Sequence, residues 1–148
     1  MEQFCKDPYP LYSIIFLNLM MCFFGFSVSY TKMTTEWGKG VFCTLWIILF
    51  FMASGNQGYA WNNKLTRWGD RTVAASLLLL YTYFYWNTME WWHFGSGIIA
   101  SVGFLFIERT YINKMQVYQY TSLINIWHLW ITFQIFLIPY SLPEGPLA

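Results

Sequence analysis

Charged residues are so sparse along this chain that the stretches between them read as elements. Counting only Lys, Arg, Asp and Glu as breaks, uncharged runs cover 8–31, 40–63, 72–89, 91–107 and 115–143. Each approaches the ~20 apolar residues with which a helix crosses about 30 Å of hydrocarbon. The pattern predicts α-helices near 11–30, 41–57, 72–88, 91–107 and 119–139. Runs such as Ser76 to Tyr81 and Ile47 to Met52 do not alternate polar with apolar, which a lipid-facing barrel strand would require. All prolines (Pro8, Pro10, Pro139, Pro143 and Pro146) fall outside these spans or at their edges, where they break no helical ladder.

Composition strengthens this picture. The 148 residues are 57% hydrophobic and 23% aromatic, with only 10% charged and a formal net charge of +1. Soluble domains carry about a quarter of their residues as charges, so the expected fold class is all-α and integral to a membrane, as one polytopic domain covering 1–148. Nucleic acid is excluded as a partner, because no Lys/Arg cluster is present to neutralise phosphates.

Loop charge predicts the orientation. The N-terminal tail and the 58–71 and 108–118 loops hold Lys6, Lys64, Arg67, Arg71, Arg109 and Lys114; the opposite side holds Lys32 and Lys39. The positive-inside tendency puts the N-terminus on the cytosol-like or matrix-like face and the C-terminus on the other. Trp61, Trp68, Tyr111 and Tyr118 mark one interface, and Trp37, Trp86, Trp91, Trp92 and Tyr140 the other. The acidic start, with Glu2 and Asp7, matches neither a signal-peptide n-region nor a transit peptide, so the first helix is expected to stay as an uncleaved span. Cys5, Cys22 and Cys43 are odd in number and far apart, which fits buried apolar thiols and not a disulfide framework or zinc pattern.

The candidate chemistry is thin. His93 and His128 raise bis-histidine haem, but their expected depths differ by about 12 Å at 1.5 Å per residue, so two structural histidines are expected and no cofactor. Asn87 followed by Glu90 has the spacing of a capping box. Asp70, at the expected start of the third helix, fits helix-start electrostatics and interfacial pairing with Arg67 and Arg71, and Glu108 falls on that same face. Ser96, Gly97, Ala100, Ser101 and Gly103 form a small-residue stripe that marks a helix-packing face. Residues 53–58 have the composition of a broken helix end that coordinates ions in transporters, yet the adjoining polar loop favours a simple helix terminus. Asn125, Trp127, His128 and Gln134 make the last helix the most polar.

Asp70 opening one helix, with Trp127 and His128 in the last, resembles the membrane metallohydrolase superfamily that includes the alkaline ceramidases. That resemblance implies a zinc site, with a Ser and a His ahead of the Asp and two His four apart in the final helix. Here position 58 is Gly and position 124 is Ile, so most of the ligands are missing. The resemblance covers about two helices and carries no function.

The expected function is therefore an accessory, non-catalytic integral subunit of a larger membrane complex, in contact with partner subunits and lipid. Low Ala with abundant Phe, Tyr and Ile fits an AT-biased coding sequence, pointing to a respiratory-type complex of the mitochondrial inner membrane. Two other classes stand beside it. One is a membrane hydrolase, or a haem or metal redox subunit, that uses His93 or His128; the other is a small transporter or channel running past 53–58, Asn125 and His128.

Overall fold

The computed structural model describes residues 11–58, 64–85, 91–107 and 117–141, with side chains for all of these except 85, 91–94, 101, 117–120 and 134–141. Apart from Leu11 and 33–35 the described residues are helical, with no strand among them: α1 (Tyr12–Lys32), α2 (Glu36–Ala53) continued by a π-turn (Ser54–Gly58), α3 (Lys64–Tyr85), α4 (Trp91–Ile107) and α5 (Val117–Ser141).

Local chemistry sets several ends. Ile14 and Ile15 donate backbone N–H to the Leu11 carbonyl at the start of α1. Lys32 in its last turn complements the negative end of the dipole. The Thr35 hydroxyl caps α2 by accepting from Gly38 N at 3.0 Å. Glu36 in that first turn pairs with Lys39 at 3.1 Å. Only 33–35 separates α1 from α2, so the two form a tight helical hairpin.

Three boundaries differ from the sequence expectation. The third helix begins at Lys64 instead of near 72, because Lys64, Arg67, Asp70 and Arg71 interrupt an uncharged run without interrupting a helix. The second begins at Glu36, where the Thr35 cap lies. Residues 54–58 are a buried π-turn that continues α2 past Ala53.

The packing order is α3, α2, α1, α5, α4, with α1 between α2 and α5. Contact pairs fix the directions. Gly58 meets Leu11 and Ile15, while Trp46 meets Gly25 and Ser29, so α1 and α2 are antiparallel. Gly55 meets Thr66 and Trp46 meets Tyr81, so α2 and α3 are antiparallel too. Asn125 bonds Ser13 and His128 bonds Asn18, making α1 and α5 parallel. The three odd-numbered helices therefore run the same way.

A cluster of Met21, Cys22, Met33, Phe42, Trp46, Leu49, Ala53 and Leu77 forms the apolar core. Close approach depends on glycine here: a Cβ on Gly25 would overlap the Trp46 indole. The outside is as apolar as the inside. Phe16, Phe23, Phe51, Leu79, Ile98, Ile99 and Phe133 are exposed, while Asn18, Ser29, Asn56, Gln57, Asp70 and His128 are buried. A water-soluble domain has the reverse distribution of polar groups.

Among the described residues, two of the five expected spans are helices long and apolar enough to cross a membrane, Tyr12–Lys32 and Glu36–Gly58. The apolar stretch Gly95–Ile107 is shorter. In α3 the charges of the first turns lower the mean hydropathy.

Candidate functional site: a buried polar layer

The register of the helices brings polar side chains to one depth. On α1, Asn18 lies between Ile15, which faces Gly58, and Gly25, which faces Trp46. It is therefore level with the end of α2, where the π-turn begins. Asp70 on α3 bonds to that π-turn, and His128 on α5 bonds to Asn18. Four elements thus contribute Asn18, Ser54, Asn56, Gln57, Asp70 and His128, all buried.

The Asp70 carboxylate is held by two amides. Its Oδ2 accepts from Asn56 Nδ2 at 2.8 Å and from Gln57 Nε2 at 3.2 Å. A π-turn winds more residues per turn than an α-helix, which allows two adjacent amides to reach one carboxylate; such turns recur at functional sites. Spending both amide nitrogens on Asp70 leaves Asn56 Oδ1 and Gln57 Oε1 buried without partners, and Ser54 Oγ joins them. Cys22, one turn beyond Asn18 on the same face of α1, is within electrostatic range of Asp70.

His128 is completely buried, with Nδ1 2.8 Å from the Ile124 carbonyl and Nε2 2.7 Å from Asn18 Oδ1. Two carbonyl partners would demand two N–H groups and a buried positive charge, at a high desolvation cost. A neutral ring satisfies both contacts once the Asn18 amide is turned, so that Nδ1–H donates to Ile124 and Asn18 Nδ2 donates to Nε2. The unpartnered Asn18 Nδ2 disappears in that arrangement, and Asn18 Oδ1 becomes the free acceptor.

A second polar knot lies toward the other end of α1. Ser29 Oγ donates to the Gly25 carbonyl at 2.8 Å and lies 2.8 Å from the Tyr81 hydroxyl. Trp46 Nε1 donates at 3.2 Å to both of those oxygens. This knot ties α1, α2 and α3 together.

The sequence candidates separate accordingly. Asp70 and His128 reach the same polar layer. Asp70 sits well inside α3, bonded to amides, and not at a helix start. Arg67 and Arg71 are half-buried on the same helix. Ala100 is buried and its carbonyl accepts from Trp127 Nε1 at 2.7 Å, which seats α4 on α5. A Cβ on Gly97 would meet Leu78, whereas nothing described comes within 4 Å of one on Gly103, and Ser96 is half-buried. The side chains of His93 and Ser101 lie outside the described residues, as do Asn87, Glu90 and Glu108.

Both ring nitrogens of His128 are engaged, so binding iron or zinc would require Nε2 to give up Asn18. Among the described residues no group of three or more His, Cys, Asp or Glu side chains is placed to hold a metal. At the positions where the ceramidase resemblance calls for ligands, Gly58 is packed against Ile15, and Ile124 lends only its carbonyl. Compared with known protein families, with curated proteins and with solved structures, the chain matches none.

Asn56 and Gln57 fall in the 53–58 stretch that the sequence picks out, whereas Asn18 and Ser29 also carry buried chemistry and belong to no sequence motif. The available signal for Asn18 is its isolation within an apolar run, where a polar group needs a partner.

Proposed function

We propose that all five helices cross a bilayer and that the chain works as a non-catalytic integral subunit of a larger membrane assembly. The observation that carries this reading is the inverted distribution of polarity, with apolar side chains facing outward and polar ones bonded to each other across helices. Lipid tails satisfy the outward face, and the inward polar groups replace water as each other's partners. The common direction of α1, α3 and α5 supports five crossings, since every odd span of an alternating path must run the same way.

Trp37, Phe51, Trp68, Leu79 and Tyr83 are among the exposed residues that would offer large rigid surfaces to neighbouring subunits and lipid. An energy-transducing complex, of the respiratory type in the inner mitochondrial membrane, is the assembly proposed; the aromatic-rich, Ala-poor composition supports it. The test is mild-detergent extraction from native membrane, native gel separation and mass spectrometry of what co-migrates. Constant stoichiometry with a large complex is the expected result. Migration as a free monomer or small homo-oligomer would overturn the subunit reading.

A further inference from the structure

A cleft of about 290 Å³ opens between α1 and α2. Cys22 and Trp46, both buried, form its floor; Leu19, Phe23 and Phe26 of α1 and Ile47 and Phe50 of α2 form its walls. Leu19, Phe23 and Ile47 are exposed, so the cleft faces outward from the bundle. Its one side-chain nitrogen, Trp46 Nε1, is spent on Ser29 and Tyr81 in the interior. The cleft therefore offers water no partner and suits an apolar guest.

The walls continue in register to a charged end. Leu19, Phe23, Phe26 and Tyr30 recur at i, i+4, i+7 and i+11, which makes one stripe along α1. The Phe26 and Tyr30 rings are stacked, with centroids 6.4 Å apart and planes inclined by 3°. Lys39 Nζ lies over the Tyr30 ring, 5.6 Å from its centroid. On α2, Lys39, Trp46 and Phe50 recur at i, i+7 and i+11 and share a stripe in the same way. Lys39 Nζ also pairs with Glu36 Oε1 at 3.1 Å, and Glu36 is exposed.

Length and charge together name the guest. From Tyr30 to Leu19 the stripe runs about 16 Å at 1.5 Å per residue, and half of a bilayer's hydrocarbon core is about 15 Å. An apolar cleft one leaflet long, with charges at one end only, has the outline of a phospholipid. A partner helix suits it less, because helix contacts in membranes use small residues and the rim carries Leu19, Phe23 and Ile47. Lys39 and Glu36 present opposite charges side by side, which complements a headgroup that holds both a phosphate and an ammonium. A purely anionic headgroup would meet Glu36 with nothing to offset it.

We propose that the α1–α2 cleft binds one phospholipid of the phosphatidylethanolamine class. One acyl chain lies over Cys22 and Trp46, the phosphate meets Lys39, and the ammonium donates to Glu36. Tyr30 stands between tail and headgroup, the depth that amphipathic rings prefer. A choline headgroup carries no N–H, so it cannot donate to Glu36. The inference rests on the bilayer-crossing part of the function proposed above and not on the subunit part.

The experiment is native mass spectrometry of the purified, delipidated full-length chain in detergent, titrated with phosphatidylethanolamine, phosphatidylcholine or phosphatidylglycerol of matched acyl chains. One saturable bound lipid is expected, with phosphatidylethanolamine the tightest. Lys39→Ala should weaken its binding by about tenfold, the scale of one contact to a charge. Glu36→Gln should remove the preference for ethanolamine over choline, while Lys64→Ala, at the other end of the bundle, should change neither. Absence of saturable binding, no preference for phosphatidylethanolamine, or an affinity unchanged by Lys39→Ala would overturn the proposal. Alkaline extraction of vesicles containing the chain separates the two possible failures. A chain that stays in the vesicles yet binds no lipid in the titration overturns the lipid site alone, and a chain released by alkali overturns the bilayer reading with it.

Discussion

His128 Nε2 on α5 lies 2.7 Å from the Asn18 side chain on α1, a bond between residues 110 positions apart. It closes the bundle, because α1 then has α2 on one side and α5 on the other. Asn18→Leu leaves a ring nitrogen buried and unpaired, and is expected to destabilise the fold by about 1–3 kcal/mol. Combining Asn18→Leu with His128→Phe removes both partners and should cost less than the two single changes summed. Unfolding of the four proteins in detergent gives the coupling directly; additivity to within about 0.5 kcal/mol would show that the bond does not form.

Two glycines predict opposite outcomes for the same substitution. Gly25→Ala places a methyl group in the Trp46 ring, and the resulting overpacking should cost about 1–3 kcal/mol. Gly40→Ala meets nothing described within 4 Å and should stabilise α2 by about 0.5–1 kcal/mol. Thermal shifts of opposite sign are the expected readout, and equal shifts would refute the close contact of α1 with α2.

Trp46 Nε1 has two acceptors, Ser29 Oγ and the Tyr81 hydroxyl, each at 3.2 Å. Tyr81→Phe or Ser29→Ala alone leaves one of them, and each should cost about 0.5–1.5 kcal/mol. The double variant strands the indole N–H in the interior and should lose more than the sum. A double-mutant cycle on denaturation midpoints measures that excess.

The common direction of the odd helices predicts where reagents reach the chain. In a background without the native cysteines, Lys64→Cys at the start of α3 and Thr34→Cys in the turn between α1 and α2 should react from opposite faces of sealed vesicles. A membrane-impermeant maleimide applied to vesicles of known orientation separates the two. Labelling of both from one face would rule out crossing by α2 and with it the alternating path.

How much of this was legible in the sequence depended on which residues carry charge. Across the uncharged run 91–107 the described residues are helical. The third helix begins ahead of its run, since its first described turns hold four charges that a helix accommodates readily. Thr35 is a good cap by residue type, but the charges of Glu36 and Lys39 hide it from a reading based on uncharged runs. In the polar layer, Asp70 and His128 stand out as rare ionisable groups in an apolar chain. Their partners do not: Asn18, Asn56 and Gln57 are recognisable only once helix register places them, and register depends on contacts across many residues. The irregular helix end at 53–58 is visible in composition, but its winding as a π-turn is not, because Ser54-Gly55-Asn56-Gln57-Gly58 fits a simple helix terminus equally well.

The hairpin of α1 and α2 bears on how the molecule is made. With only 33–35 between them, the two helices leave the ribosome close together and can pair at Gly25, Ser29 and Trp46 early. Asn18 is also synthesised early, yet its imidazole partner is 110 residues downstream on the last helix. Until α5 arrives, each nascent chain carries an unmatched amide in its first helix. A chain that ends before Val117 lacks His128 altogether, so the Asn18 amide never gains the partner that closes the bundle.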